Sequence, residues 1–442
     1  MVLNARFLPI VFSVFLVFSG CSETTITAKD TSATSERTLA LGCGDFDFPT
    51  ARTFETDEQV EAKLSEMTLA EKADQMAGFA PPTSELLATP DNERLNLRGL
   101  KFRDGPNGPR IEDGNATCFP VTVARGATWN PDLERRVGEA MGKEVRAIGD
   151  QILLAPCVNT LRHPAWGRAQ ETYGEDPWFL GTMGSAFTQG IQKEAVACAK
   201  HLAGNNIEDT RMINNAIIDE QNLRENYLRQ FRMIIEEADV GCVMAAYNKV
   251  NGQYCCENKH LLKTVLRDEW GYDGFVVSDW LGTHSTAPSL TAGLDVEMPW
   301  RNYYAKIEEA VNNGEVSEDT VDESVRRILR IKYKFGFAEL DTPHTGDPSV
   351  VESKEHTSLA REVARKGMVL LKNDSSTLPI DLEKGASKIA VVGKWADEAR
   401  LGDNGSSRVT PSYAITPFEG ISDRVADKGT VLTSLDSSAA KD

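Results

Sequence analysis

The chain has 442 residues, 41% of them hydrophobic and 26% charged, and a formal net charge of -18. That balance belongs to a folded globular protein, not to a disordered or fibrous chain. The negative charge argues against a nucleic-acid partner, which needs clustered Lys and Arg to neutralise phosphates.

The opening segment, "MVLNARFLPIVFSVFLVFSGC", places Arg6 ahead of an apolar run that ends in small residues before Cys21. This is the pattern of an export signal, so residues 1–21 are set aside from fold reasoning. The ending "FSGC" resembles a bacterial lipobox, in which the cysteine is lipidated after cleavage. The resemblance makes Cys21 the anchor of an exported lipoprotein, in the periplasm or at the outer membrane. A plain signal peptide with an incidental cysteine is the alternative. Residues 22–53 begin with a Ser-, Thr- and Ala-rich stretch and read as a flexible tether. No other stretch reaches the length of about 20 apolar residues that spans a bilayer. Membrane contact is therefore expected only through the lipid.

"TLAE", Thr68 to Glu71, is a capping-box signature at the start of a helical pattern. Between Leu133 and Ile148, apolar residues recur at Val137, Met141, Val145 and Ile148, one face of a helix that Gly149 stops. Asp219 to Ala238 repeats the pattern, and Ser317 to Gly336 has good start and stop signals. Short apolar runs lie between these helices: "QILLAP", "AVACAKHL", "GCVMAAYN" and "GFVVSD". Helices alternating with continuous hydrophobic strands predict βαβ units and a parallel sheet. Residues 54–337 have the size of a (β/α)8 TIM-like barrel. A doubly wound sheet is the alternative from pattern alone.

Residues 338–351 contain "LDTPHTGDPSV" and read as a linker. Residues 352–442 begin a second α/β sandwich domain. There, "HTSLAREVARKGMVLLKND" reads as a helix running into a strand, and "SKIAVVG" and "GTVLTSL" as two more strands. The stretch is too short to complete such a domain. Cys157, Cys198 and Cys242 lie in apolar strand-like runs and are expected to be free, buried thiols, although export permits disulfides. No Cys/His spacing suggests zinc, and no nucleotide or serine-hydrolase fingerprint is present, so no metal or cofactor is expected.

Polar residues gather where the apolar runs end. Asp104 follows one run, Arg168 lies beyond "QILLAP", and Lys200 and His201 close "AVACAKHL". Tyr247 closes "CVMAAY", and Asp279 with Trp280 closes "GFVVS". In a parallel barrel every carboxyl strand end faces one cavity. Taken singly, each has a plainer reading. "DGPNG" and "GEDP" are turn sequences, Asp279 is a candidate helix N-cap, His201 a hydrogen-bonded core residue and Trp280 core. Lys200 resists that reading, because a buried Lys needs a partner or a task. Together the set suits a polyhydroxyl ligand: Asp and Arg bind vicinal hydroxyls and Trp offers a flat face. Cationic neighbours are expected to keep Asp279 at a low pKa, ionised and nucleophilic.

"RDGPNGPR", "GRAQETYGEDP", "AKHLAGNN", "AAYNKVNG" and "GFVVSDW" resemble, in this order, segments of glycoside hydrolase family 3, which includes β-glucosidases and β-xylosidases. "AGLDVEMP", "ARKGMVLLKND" and "LGDNGSSRVTPSYAITPFEGI" extend the resemblance. It implies an exo-acting retaining β-glycosidase, β-glucosidase first, acting on an oligosaccharide or aryl glycoside. It makes Asp279 the nucleophile and Asp104, Arg168, Lys200, His201 and Tyr247 contacts to the sugar in the first subsite, with Trp280 flanking the second. β-Xylosidase, or a sugar-binding lipoprotein without catalysis, are the alternatives. The family's aminosugar branch resembles "KHFPGHG", whose later His this loop lacks. In the glucosidase branch the acid/base Glu comes from the second domain, and the resemblance places it beyond Asp442. On that reading the chain by itself turns sugar over poorly.

Overall fold

The computed structural model describes residues 54–81, 87–383, 388–402 and 404–434. The segments expected to be an export signal and a tether, with Cys21 and Cys43, lie outside the described residues.

The centre of the fold is a ring of parallel strands: β1 (Ala77–Phe79), β2 (Phe102–Asp104), β3 (Ile152–Leu154), β4 (Val196–Leu202), β5 (Cys242–Ala245), β6 (Phe275–Ser278) and β7 (Glu297–Trp300). Strands β2 to β6 pair in sequence order, β7 pairs with β1, and a parallel bridge from Val277 to Val296 joins β6 to the start of β7. Strands β3 to β6 are buried along their whole length, which is why they read as unbroken apolar runs.

The barrel is TIM-like, but the ring departs from a regular eightfold one between β1 and β2. There Ala88 bridges Lys101 antiparallel, Thr89 donates its N–H to Leu100 O at 2.9 Å, and Phe102 to Leu87 O at 2.7 Å. The chain between doubles back in a hairpin closed by reciprocal Asn92–Leu97 bonds of 2.7 and 2.9 Å. A parallel return needs a crossover of a dozen or more residues, usually a helix. The polar segment "TPDNERLNLRGL" is spent on that hairpin and forms no helix, so the local strand runs the other way.

Helices cover the ring. Helix α1 (Pro131–Ala147) is capped by Asn130, whose side chain accepts from Leu133 N–H at 3.0 Å, and the chain turns out of it at Gly149, with φ +83°. Helix α2 (Pro177–Ile191) is capped by Asp176, accepting from Phe179 N–H at 2.7 Å. Asp176 in "GEDP" therefore starts a helix. The two helices touch backbone to backbone: a Cβ at Gly138 would lie 2.3 Å from Phe187 O, and one at Gly190 2.1 Å from Arg135 O. The single helix expected over Asp219–Ala238 is interrupted by a wide turn at Leu223–Leu228 before α3 (Arg229–Ala238). Helix α4 (Glu318–Lys334) follows Ser317, which caps it as its sequence suggests.

The cysteine expectation is corrected. Cys198 on β4 and Cys242 on β5 stand in direct register on adjacent strands, Cα atoms 4.3 Å apart, and are disulfide-bonded. Each apolar run in isolation suggests a buried thiol, and the pairing exists only because the strands are neighbours. Cys157 is free and buried.

Beyond the barrel, helix α5 (Lys354–Lys366) ties to α1 through His356 Nδ1 and Glu144 at 2.8 Å and through Arg136 and Glu362 at 3.0 Å. Strands β8 (Lys388–Val392) and β9 (Thr430–Ser434) pair in parallel, with helix α6 (Pro417–Val425) leading into β9. The strand expected over "GMVLLKND" is not formed, and Leu371 in it is 91% exposed. A lone strand has no ladder to satisfy its backbone, so propensity by itself does not hold it.

Candidate active site

The carboxyl ends of β2, β4, β5 and β6, with the loop after β3, deliver a polar cluster into one mouth. At β6, Ser278 Oγ accepts from Met298 N–H at 3.0 Å, locking the strand end to β7, and Asp279 N–H donates to Ala245 O at 3.0 Å. Asp279 Oδ1 then accepts from the N–H of Trp280 at 2.9 Å. Its Oδ2 is buried and meets no donor in good hydrogen-bonding geometry, while the Tyr247 hydroxyl lies near enough to the carboxyl to favour its charged form. The next helix begins only at Ala287, so Asp279 caps nothing.

Asp279 Oδ2 lies 3.6 Å from His201 Nε2. His201 Nε2 in turn lies 2.9 Å from Arg168 Nη1. Arg168, 6% exposed, grips Glu171 with two bonds of 3.0 and 2.7 Å and donates to Ser406 Oγ at 3.1 Å. Lys200 Nζ is 3.9 Å from Asp104, which also faces Arg110 at 4.0 Å. Tyr247, nearly buried, stands beside the Asp279 carboxyl, and the Arg211 guanidinium lies 4.7 Å over its ring. Trp280 is half-buried and sets its edge against Phe102 at 5.9 Å between centroids. All seven residues singled out in the sequence thus stand at the barrel's carboxyl end. Asp104, Arg168, Lys200, His201, Tyr247 and Asp279 form one connected cluster, with Trp280 at its edge.

The electrostatics correct one expectation. Burial pushes the Asp279 pKa above its ordinary value, and the opposing pull of Arg168, Lys200 and the Trp280 N–H does not reverse it. Counting cationic neighbours in the sequence misses the desolvation that brings them together. Asp104 is raised in the same way, against Lys200 and Arg110. Burial, with Arg168 and Lys200 adding to it, holds His201 well below the usual imidazole range, so the ring is neutral. Burial and the Asp279 charge keep the Tyr247 phenol protonated. Burial also pushes the Cys157 thiol up to about 11, too high for a thiolate nucleophile at neutral pH.

The structure adds residues that the sequence does not single out. Glu171, inside "GRAQETYGEDP", is 1% exposed beneath Arg168. Its spacing of three from Arg168 across a 3-10 turn is the available signal. Ser406 comes from the second domain, whose loop seats on the barrel: Asn107 donates to Ser407 O at 3.4 Å and Ala116 N–H to Thr410 O at 3.1 Å. Nothing local in "GDNGSSR" marks that contact. Among the described residues no group of three or more His, Cys, Asp or Glu side chains forms a metal site. Chemically, the cluster offers one free carboxylate oxygen within a shell of donors and cations, suited to an electrophilic carbon bearing hydroxyl groups.

Comparison with known proteins fits this chemistry. The glycosyl hydrolase family 3 N-terminal domain matches residues 86–331 and the C-terminal domain of that family residues 368–442. A beta-glucosidase of Rhizobium radiobacter is 40% identical over 366 residues, which is 81% of this chain and 44% of that protein. Beta-glucosidase 3B of Thermotoga neapolitana, solved with alpha-D-glucose, superposes with a TM-score of 0.76 at 36% identity, covering 87% of this chain and 55% of that one. DesR, a beta-glucosidase of Streptomyces venezuelae solved with D-glucose, gives 0.79 at 33% identity, covering 87% and 50%. The chain spans less than half the length of the curated relatives it matches.

Proposed function

The chain belongs to glycosyl hydrolase family 3, and from that premise we propose that it carries the sugar-binding barrel of an exo-acting, retaining β-glucosidase with Asp279 as nucleophile. The observation that carries the reading is the Asp279 Oδ2 oxygen, buried at a barrel strand end with no donor in good hydrogen-bonding geometry. A carboxylate held free among cations is poised to attack. In the proposed step Oδ2 bonds to the anomeric carbon while the bond to the aglycone oxygen breaks. Water then cleaves the resulting ester and releases the sugar with retained configuration. Retention also needs a second carboxyl group roughly 5 Å from the first, which protonates the leaving oxygen.

Asp104, Lys200, Arg168, His201 and Tyr247 would hold the ring hydroxyls, and Trp280 the aglycone side. Glucose in the two solved relatives supports a glucose-sized first subsite. The test is a fluorinated β-glucoside with a dinitrophenol leaving group, which needs little acid assistance. Covalent labelling of a peptide containing Asp279 is the expected result. Labelling elsewhere would refute the nucleophile. Glucose binding without any labelling would favour a sugar-binding protein instead.

We also propose that the mature protein begins at a lipidated Cys21 and is exported to the envelope. The apolar run ending in "FSGC" and the polar stretch after it support this. Among the described residues no helix is long and apolar enough to cross a membrane. Mass spectrometry of the mature N-terminus should find a lipidated cysteine, and Cys21→Ser should release the protein from membranes. A Cys21→Ser protein that still sediments with membranes would count against the anchor.

A further inference from the structure

The loop after β3 runs beside β4: Cys157 bridges Lys200 in parallel and Val158 N–H donates to Lys200 O at 2.9 Å. That register sets Asn159, 2% exposed, against His201. Three contacts join them. The His201 backbone N–H lies 2.9 Å from Asn159 Oδ1, Asn159 Nδ2 lies 2.8 Å from His201 O, and His201 Nδ1 lies 2.9 Å from the same Oδ1. A backbone N–H only donates and a carbonyl only accepts, so the amide orientation is fixed from both ends. The imidazole nitrogen facing Oδ1 must then carry its hydrogen on Nδ1.

The other ring nitrogen obeys the same bookkeeping. His201 Nε2 is 2.9 Å from Arg168 Nη1, and a guanidinium only donates, so Nε2 accepts and bears no hydrogen. The same nitrogen faces Asp279 Oδ2 at 3.6 Å, and with no hydrogen it gives that oxygen nothing. The opposite tautomer would point a hydrogen between Arg168 and Asp279, repelling the first and occupying the second.

We propose that Asn159 is a positioning residue that holds His201 in the Nδ1–H tautomer and so keeps the Asp279 Oδ2 lone pairs free for reaction. This rests on the reading of Asp279 as nucleophile. Burial and the charges of Arg168, Lys200 and Arg211 disfavour a second proton on the ring. The remaining close group, the Cys157 thiol, is 3.9 Å from Nδ1 and too weak a partner to choose the tautomer.

Nitrogen NMR of histidine-labelled protein reads the tautomer directly, with His201→Gln identifying the signal among the six histidines. The parent should show a protonated Nδ1 and a bare Nε2. Asn159→Leu, similar in size but without an acceptor, leaves only the Arg168 contact to favour the form and should shift the ring to a mixture of tautomers. Asn159→Asp keeps an acceptor for Nδ1–H but gives up the donor to His201 O, and should keep the hydrogen on Nδ1. In the same proteins, the rate of Asp279 labelling should fall roughly 10- to 100-fold in Asn159→Leu, the range that misplacing a group at the reacting centre costs. It should recover with Asp. A parent with hydrogen on Nε2, or an Asn159→Leu ring that keeps the Nδ1–H form, overturns the proposal. Should Asn159→Leu fail to fold, Asn159→Ala, which also lacks the acceptor, makes the same test. Absence of labelling in the parent would sink the nucleophile reading and leave the tautomer result standing, so the two fail separately.

Discussion

Asp279→Asn is expected to reduce covalent labelling, and turnover in the complete enzyme, by roughly 10,000-fold or more, the scale seen when a nucleophile is removed. Glucose binding should survive, because the amide keeps the Oδ1 acceptor facing the Trp280 N–H and leaves Asp104, Lys200 and Arg168 in place. The same substitution should change stability with a definite sign. Folding raises the Asp279 pKa, since burial outweighs Arg168 and Lys200. A carboxyl raised in this way binds its proton more tightly folded than unfolded. Its contribution is fully present below the unfolded value of about 3.9 and is lost as the pH rises through the folded pKa. Asn never ionises and keeps that stability. Asp279→Asn should therefore melt above the parent near pH 7, with the gap closing as the pH approaches about 4. Thermal scans across that range measure it. An inverted gap would mean that the cationic neighbours win after all, and a constant one that folding leaves this pKa unshifted. Near-normal labelling would remove Asp279 from the mechanism.

Arg168→Ala is expected to cost about 3–5 kcal/mol of stability, the penalty for leaving one charge of a buried pair alone. Glu171, 1% exposed, loses both its bonds to the guanidinium, and His201 Nε2 loses its donor. Removing both partners should have the opposite effect. Arg168→Met with Glu171→Leu leaves no stranded charge and should return stability to within about 1 kcal/mol of the parent, as apolar replacements of buried pairs often do. It should not return glucose binding, because the donors to the sugar are gone. Denaturant melts with glucose titration separate these effects. Arg168→Ala at parental stability would show that Glu171 is not stranded and would undo this account of the pair. A double variant that binds glucose normally would remove Arg168 from the sugar site.

Much of this site is legible one segment at a time. Strand β6 is written in "FVVS", a β-branched and aromatic run ending on polar residues, and α1 in the spacing of Val137, Met141 and Val145 around Asn130 and Gly149. Both depend on forces acting within a window of a few turns or pleats, so local pattern is enough. Once the strands are parallel, the placement of Asp104, Lys200, His201, Tyr247 and Asp279 at one mouth follows from topology. Membership of the family is likewise written in the order of the motifs.

What tertiary structure alone decided has a common physical origin in distance along the chain. Arg168 meets Ser406 across 238 positions, and Asn159 meets His201 across 42. Cys198 and Cys242 bond across 44 because β4 and β5 are neighbours. The reversed segment near Ala88 reflects how the ring closes around a short polar hairpin. The direction of the Asp279 shift was hidden most completely. The sequence determined which charges would surround that carboxylate, but the loss of water around it is a property of the closed barrel. That loss of hydration outweighs the attraction of the neighbouring cations.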